Sequence, residues 1–275
     1  MSSPWTWKRS TVKLPTSFLK IWAFSVRSGL VNRRNVFAAL EMLFWPAIGI
    51  FSVGLLTRFL NLPGDTVTFI LIGAITISTV QIAQLDLSYS LLYSVWSKSL
   101  KHEFIAPIRL IHILLGCGLV GVIRGFLVFA GMTVLSVWIF HMELGRPGPG
   151  GLAVFLAGMF LNAAIIGALV LALVLRFGQR AEVAAWAFSY LMMLFCGLYY
   201  PVSVLPAWAQ GLARFIPLTY FLEYFRHFYG FPLHSSRPLL YGFSLSVVYL
   251  LASYGLLQYT LRASLRGGIL LRLSE

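Results

Sequence analysis

Residues 183–213 read VAAWAFSYLMMLFCGLYYPVSVLPAWAQGLA, thirty-one residues without a charge. A helix needs roughly 20 mostly apolar residues to cross a bilayer core, so this run is too long for one straight crossing. Pro201 and Pro206 divide it, because proline removes a backbone donor and disfavours helix continuation. One helix is expected over 183–200. Beyond it, residues 201–230 alternate apolar and polar positions, with Pro201, Pro206, Pro217, Trp208, Tyr220, Tyr224 and Tyr229. Prolines with an aromatic belt suit a hairpin of short helices that dips into the membrane. The competing reading is an ordinary extracellular loop, although a solvated loop is rarely this apolar.

The rest of the chain repeats the pattern. Apolar runs cover 36–57 (with Glu41 inside), 66–85, 110–140 (interrupted by Arg124), 151–175 and 238–261. With 183–200 they predict an all-α membrane protein of six spans. Composition agrees: 59% of residues are hydrophobic and 11% charged, where soluble domains carry about 25% charged residues. A chain this poor in charge cannot cover its own surface in water. The expected divisions are a cytoplasmic segment 1–35, a transmembrane domain 36–262 and a cytoplasmic tail 263–275. No internal repeat or low-complexity tract appears. The short apolar run at 18–26 is broken by Lys20 and Ser25, which does not fit a secretory signal.

The net charge of +13 is not that of a nucleic-acid-binding protein, since no separate basic domain carries it. The basic residues sit between the spans. Fifteen fall in the N-terminal segment, the loop after span two, the loop after span four and the tail; five fall on the other side, and Arg124 lies within a span. The positive-inside rule then places both termini and the 93–109 loop in the cytoplasm. In the N-terminal segment Leu19, Trp22, Ala23, Val26 and Leu30 share one helical face. Lys20, Arg27 and Arg34 recur every seven residues. This predicts an amphipathic helix on the inner leaflet, its basic groups toward anionic headgroups.

Catalytic motifs are missing. There is no G-x-x-x-x-G-K-[ST] loop to cradle nucleotide phosphates, no H-E-x-x-H and no G-x-S-x-G. Cys117 and Cys196 lie in apolar segments and read as small buried hydrophobes. The five histidines are scattered near span ends and read as interfacial polar residues rather than metal ligands. Charges inside spans are costly and mark function by default. Glu41 reads as snorkelling to the interface or pairing with Arg33 or Arg34. Gln81, Gln84 and Asp86 in span two and Arg124 in span three are candidates for the bundle interior. Asp86 and Arg124 either pair or each face water near a mouth. Gly121 and Gly125 form a small-xxx-small pair that would let helices approach closely. The 97–108 loop, SKSLKHEFIAPI, has helix-forming character and mixed charge, so it reads either as a short docking helix or as a plain connection.

Three of these features together resemble the permease subunit of ABC transporters of the ABC-2 type. The stretch 197–226, GLYYPVSVLPAWAQGLARFIPLTYFLEYFR, is similar to that family's signature: Y-P, then L-P, an apolar turn, P-L-T and a terminal Arg. The 97–108 loop ending at Pro107 sits where the family places its coupling helix, although Trp96, Lys98 and Ser99 depart from the family's usual acidic residue and glycine. The N-terminal amphipathic helix is similar to the family's connecting helix.

The resemblance implies an exporter permease that carries no cofactor itself. ATP and Mg would be bound by a separate ATPase subunit. A second permease subunit would complete the pathway, most simply as a homodimer, in a bacterial inner membrane. Ser97, Lys98, Leu100, Lys101, His102, Glu103, Phe104 and Pro107 would meet the ATPase. Tyr199, Tyr200, Pro201, Leu205, Pro206 and Trp208, with Pro217, Leu218, Thr219 and Arg226, would build an outer gate. The cargo would be an amphiphile: a drug, lipid or glycan. The rival reading is a secondary transporter or channel without an ATPase, a class that usually shows repeats or broken helices around midplane charges.

Overall fold

Apolar residues without helix breakers leave the backbone one economical option, the α-helix, which satisfies its own hydrogen bonds. The computed structural model describes residues 16–34, 36–98, 108–143 and 145–266, without the side chains of 16, 31–39 and 41. Every regular element among them is helical. We label the α-helices α1 Thr16–Arg34, α2 Val36–Phe59, α3 Gly64–Trp96, α4 Leu110–Phe140, α5 Gly148–Phe177, α6 Glu182–Phe195, α7 Ala207–Ala213, α8 Pro217–His227 and α9 Pro238–Arg266. The anticipated pairing of Glu41 falls outside the described side chains.

Five helical stretches are long and apolar enough to cross a membrane: Met42–Phe59, Gly64–Trp96, Leu110–Phe140, Gly148–Phe195 and Pro238–Arg266. The fourth is not one straight rod. Gly178 sits at φ +62, a conformation glycine adopts without the steric cost of a Cβ, and a 3-10 turn over Gly178–Ala181 follows. The side chains on either side record the reversal. Going along α3, Ala83 lies near Phe160 across Gly125, and Leu87 meets Gly167, so α5 runs parallel to α3. Gln84 donates to the Ala185 carbonyl, while Tyr89 further along meets Glu182 and Trp186. α6 therefore runs antiparallel to α3.

α3 is the central post, packed by α2, α4, α5 and α6. It continues to Trp96 rather than ending near 85. Its polar residues after 80 are absorbed inside the bundle, with Gln84 and Ser88 fully buried. The Gly121/Gly125 pair brings α4 close to α3: a Cβ at Gly121 would lie 2.6 Å from the Ala83 carbonyl oxygen, and one at Gly125 would lie 3.1 Å from the Ala83 Cβ. The pair thus builds this chain's own interior. α2 and α9 form the flanks and leave most of their apolar residues exposed, as suits helices facing lipid or another subunit.

α1 lies against the start of α4 and the end of α3. Ser25 Oγ donates to the Gly116 carbonyl at 2.8 Å, and Arg27 Nη2 donates to Ser94 Oγ at 2.8 Å. The face Leu19, Trp22, Ala23, Val26 and Leu30 is exposed, free to lie in lipid. Arg27 corrects the sequence expectation: it pins α1 to α3 instead of facing headgroups.

The helix expected over 183–200 ends at Phe195. Gly197, at φ +67, turns the chain before Pro201 is reached. A 3-10 turn (Val202–Val204), α7 and α8 then follow.

Candidate functional site

Two arginines organise the molecule. Arg124, midway along α4, reaches across to α3, where its Nη1 makes an ion pair with Asp86 Oδ1. Its Nε donates to Met42 Sδ of α2 at 3.2 Å. The side chains are 17% and 7% exposed, so both charges are largely desolvated. Unpaired, each would be strongly unfavourable there; paired and hydrogen-bonded, they persist.

This pair lies in the wall of a cavity of about 490 Å³ between α2, α3 and α6, within the usual range of small-molecule sites. Met42, Trp45, Pro46 and Gly49 line it from α2. Ser78, Gln81, Asp86, Tyr89 and Tyr93 line it from α3, and Glu182, Trp186, Ser189 and Tyr190 from α6. The lining is mixed. Trp186 Nε1 donates to the Tyr89 hydroxyl at 3.1 Å, and that hydroxyl meets Glu182 Oε1 at 3.4 Å. Tyr93 and Trp96 extend the aromatic surface by edge-on contacts. The wall thus offers ring faces, one ion pair and one further carboxylate.

Gln84 is not part of this surface. Its Nε2 bonds Ala185 O at 2.9 Å and Ser189 Oγ at 3.4 Å, and its Oε1 accepts from Ser88 Oγ at 3.0 Å. It joins α3 to α6. Gln81 and Gln84 lie three positions apart, yet one faces the cavity and the other a helix.

Arg226 organises the other end. It closes α8 and is 4% exposed. Its Nη1 donates to Gly197 O at 2.6 Å; Nη2 donates to Leu198 O at 2.5 Å and Phe69 O at 3.0 Å. The guanidinium also lies over the Phe69 ring, 3.5 Å from its centroid. The last carbonyls of a helix lack intrahelical partners. Here a side chain from the returning segment supplies donors just past the end of α6. Glu223, one turn earlier in α8, places a carboxylate near the buried guanidinium.

Leu218, Phe221, Leu222 and Phe225 of α8 are all fully buried. Phe225 stacks on Phe155 of α5 at 4.1 Å, and Phe221 sits over Gly158 and Gly242. α8 therefore lies alongside the first three turns of α5. Pro217 starts α8 and Pro206 caps α7. The Tyr200 hydroxyl donates to Leu194 O at 2.5 Å, which folds the turn back on α6. Tyr199 reaches the cavity. Thr219 is buried beside Cys196 and Arg226. Pro201 is exposed and Leu205 half-buried. Trp208 stays exposed, with its ring edge-on to Phe195.

At the opposite end, Ser97 caps α3 through Oγ to Tyr93 O at 2.8 Å, and Lys98 turns away at φ 55. Leu100, Lys101, His102, Glu103, Phe104 and Pro107 lie outside the described residues. Among the described residues no three His, Cys, Asp or Glu side chains come together as metal ligands. Sequence reasoning missed the Tyr89–Glu182–Trp186 group, in which Tyr89 lies 93 and 97 residues from its two partners. It also missed the acceptors of Arg226, because backbone carbonyls leave no trace in a residue pattern.

The profile of the ABC-2 type transporter family matches residues 20–229, from α1 through α8. The chain belongs to the ABC-2 type transporter family, and it is a membrane protein of the transport-permease kind. It is 26% identical over 186 residues to the inner membrane transport permease YadH of Escherichia coli (strain K12), covering 68% of this chain and 71% of that protein. The permease of the same name from Shigella flexneri matches equally. An uncharacterized protein of Archaeoglobus fulgidus is 38% identical over 60 residues, 22% of this chain and 94% of its own length.

Proposed function

We propose that this chain is the membrane subunit of an ATP-driven exporter of amphiphiles, and that the cavity between α2, α3 and α6 is half of its pathway. The observation that carries this is the lining of that cavity. Asp86, Arg124, Gln81 and Glu182 share an apolar helix bundle with Trp45, Tyr89, Trp186 and Tyr190. Polar groups kept at membrane depth cost free energy and are retained for use. Ring faces beside them suit a cargo with one apolar and one polar end. A second copy placed against α2 and α6 would close the cavity around the cargo, making a homodimer.

Six crossings follow if α6 counts as the fifth. Its 14 residues span about 21 Å, short of the roughly 30 Å core. The 201–230 segment fills the missing outer part as a re-entrant hairpin, the outer gate, with Arg226 satisfying backbone left open at that depth. The excess of basic residues near α1, the 97–109 loop, the α5–α6 turn and the tail supports cytoplasmic termini in an inner membrane. A separate ATPase, binding ATP and Mg, would dock on the 97–108 segment and α1. Its closure would be transmitted through the Arg27–Ser94 and Ser25–Gly116 bonds to α3 and α4.

The test is co-purification from detergent with the ATPase, followed by reconstitution. Cargo-stimulated ATP hydrolysis that is lost on Lys98→Glu or on crowding the cavity with Ser78→Trp is the expected result. Transport by the chain alone, with no ATPase present, would overturn the reading.

A further inference from the structure

A second large concavity lies on the opposite flank. It is a groove of about 500 Å³ between α4 and α9, with α3 and α5 as its floor. α4 packs chiefly on α3 and barely on α5, which leaves the seam open. Small residues open the floor, Ala83 of α3 with Ala163, Ala164 and Ala168 of α5, beside Leu87 and Phe160. The rims are Leu115, Leu119 and Val122 of α4, and Leu250 and Leu251 of α9. Its surface is almost entirely apolar, unlike the cavity that holds Arg124.

The groove has a direction. It begins at Ile111, in the first turn of α4, and runs to Val122, about halfway along that helix. α9 passes it at 250–254 and continues toward the end where α4 starts. Ser264 Oγ donates to Leu175 O at 2.8 Å, fixing the end of α9 beside the end of α5. From the groove toward that end, α9 presents Tyr254, Gln258 and Arg262 at four-residue spacing, one face of a helix. Arg109 precedes α4 at the same end. Both arginines are exposed. The groove is thus apolar along its length, and each of its two rim helices carries an exposed arginine toward the same end of the bundle.

We propose that this groove is a binding site for an anionic phospholipid of the inner leaflet, with one acyl chain in the slot and its phosphate at Arg262 and Arg109. The leaflet rests on the orientation proposed above; the site itself does not depend on the transport reading. A hydrocarbon chain fits a wall that is almost entirely apolar, with Ser253 already bonded to the Leu250 carbonyl. Guanidinium groups recognise phosphate through paired, charge-assisted hydrogen bonds. A bound lipid would tie α9 to α4 across a seam that side chains leave unfilled.

Gly118 makes the test clean. It lines the groove, and a Cβ there would meet nothing within 4 Å. Gly118→Leu directs a side chain into the slot from a position with room for its Cβ, and it improves helix propensity. The full chain is purified in mild detergent, stripped of lipid and titrated with phosphatidylglycerol or phosphatidylcholine, and bound phospholipid is counted by native mass spectrometry. The expected result is one phosphatidylglycerol per chain, held at least tenfold more tightly than phosphatidylcholine. Gly118→Leu should lower that occupancy at least tenfold, and Arg109→Gln combined with Arg262→Gln should remove the headgroup preference while leaving the chain bound. Ala164→Leu fills the same slot from α5 should the first variant fail to fold. Equal lipid retention by native and filled proteins would overturn the proposal, meaning that bulk chains or another protein's helix covers the groove. So would equal affinity for the two lipids.

Discussion

Arg226 and Arg124 are both largely removed from water, yet they are satisfied in opposite ways. Arg226 spends its donors on three backbone carbonyls from two other segments, Phe69 of α3 and the turn at Gly197 and Leu198. Among the described residues no carboxylate makes a direct ion pair with it. Arg124 instead pairs with Asp86 in the wall of the large cavity. The first arrangement depends on the chain path, so it acts as a clamp that reports whether the hairpin is seated. The second depends on one opposite charge, so it can be inverted or engaged by a cargo without unfolding a turn. A buried cation held by carbonyls is architecture; one held by a carboxylate at a cavity wall is available for function.

The contrast breaks most visibly at Arg226. Arg226→Ala should leave the Gly197, Leu198 and Phe69 carbonyls without their donor, and hydrogen bonds to charged groups are worth about 1.5–3 kcal/mol each. We expect a loss of at least about 3 kcal/mol, seen as faster thermal inactivation in detergent and as new protease cleavage in the hairpin. Arg226→Lys should recover only part, because an ammonium lacks the planar fork that reaches several acceptors at once. A melting temperature unchanged by Arg226→Ala would remove the clamp reading.

The Asp86–Arg124 pair should behave differently. Asp86→Ala leaves a cation at membrane depth. Removing one partner of a fully buried pair costs about 3–5 kcal/mol; partial exposure of Arg124 should bring this nearer to about 2 kcal/mol. The double variant Asp86→Arg with Arg124→Asp should restore folded yield in the membrane. No such swap exists for Arg226. Failure of the double swap to recover yield above either single variant would show that the pair's surroundings, rather than its attraction, hold it.

Much of this was readable from sequence. Charge-free runs mark the long helices, and Pro201 and Pro206 show that the longest apolar run is not one straight span. Asp86 and Arg124 stood out because a charge inside an apolar run is conspicuous. The end of α3 was less legible: Gln84 and Ser88 look like an approaching surface, yet they bond each other and α6 inside the bundle. α6 ends five residues short of the position that Pro201 predicts. The turn comes earlier, at Gly197, where Arg226 can cap it. That choice is tertiary, and no local pattern announces it. The function of α1's basic residues also split by context, since Arg27 is close enough to bond Ser94.

The smallest expected effect concerns the neighbour of the clamp. Glu223 lies one turn before Arg226, and burial raises its pKa above the ordinary carboxylate value. The charge of His234 and the backbone N–H groups of His234 and Ser235 hold that rise in check. Arg226 also faces it, and Tyr220 and Arg214 are close by. Because the folded state holds this proton more tightly than the unfolded chain, folding gains stability below the raised pKa. That gain declines as pH rises from the ordinary carboxylate value through the folded one. The hairpin should therefore resist protease best on the acidic side of that window. Glu223→Gln keeps the neutral form at every pH, so it should flatten the dependence and leave Arg226 with its three carbonyl acceptors. The measurement is the rate of hairpin cleavage against pH for native and Glu223→Gln proteins, with Arg226→Lys alongside. A pH profile that Glu223→Gln leaves unaltered would detach Glu223 from the clamp.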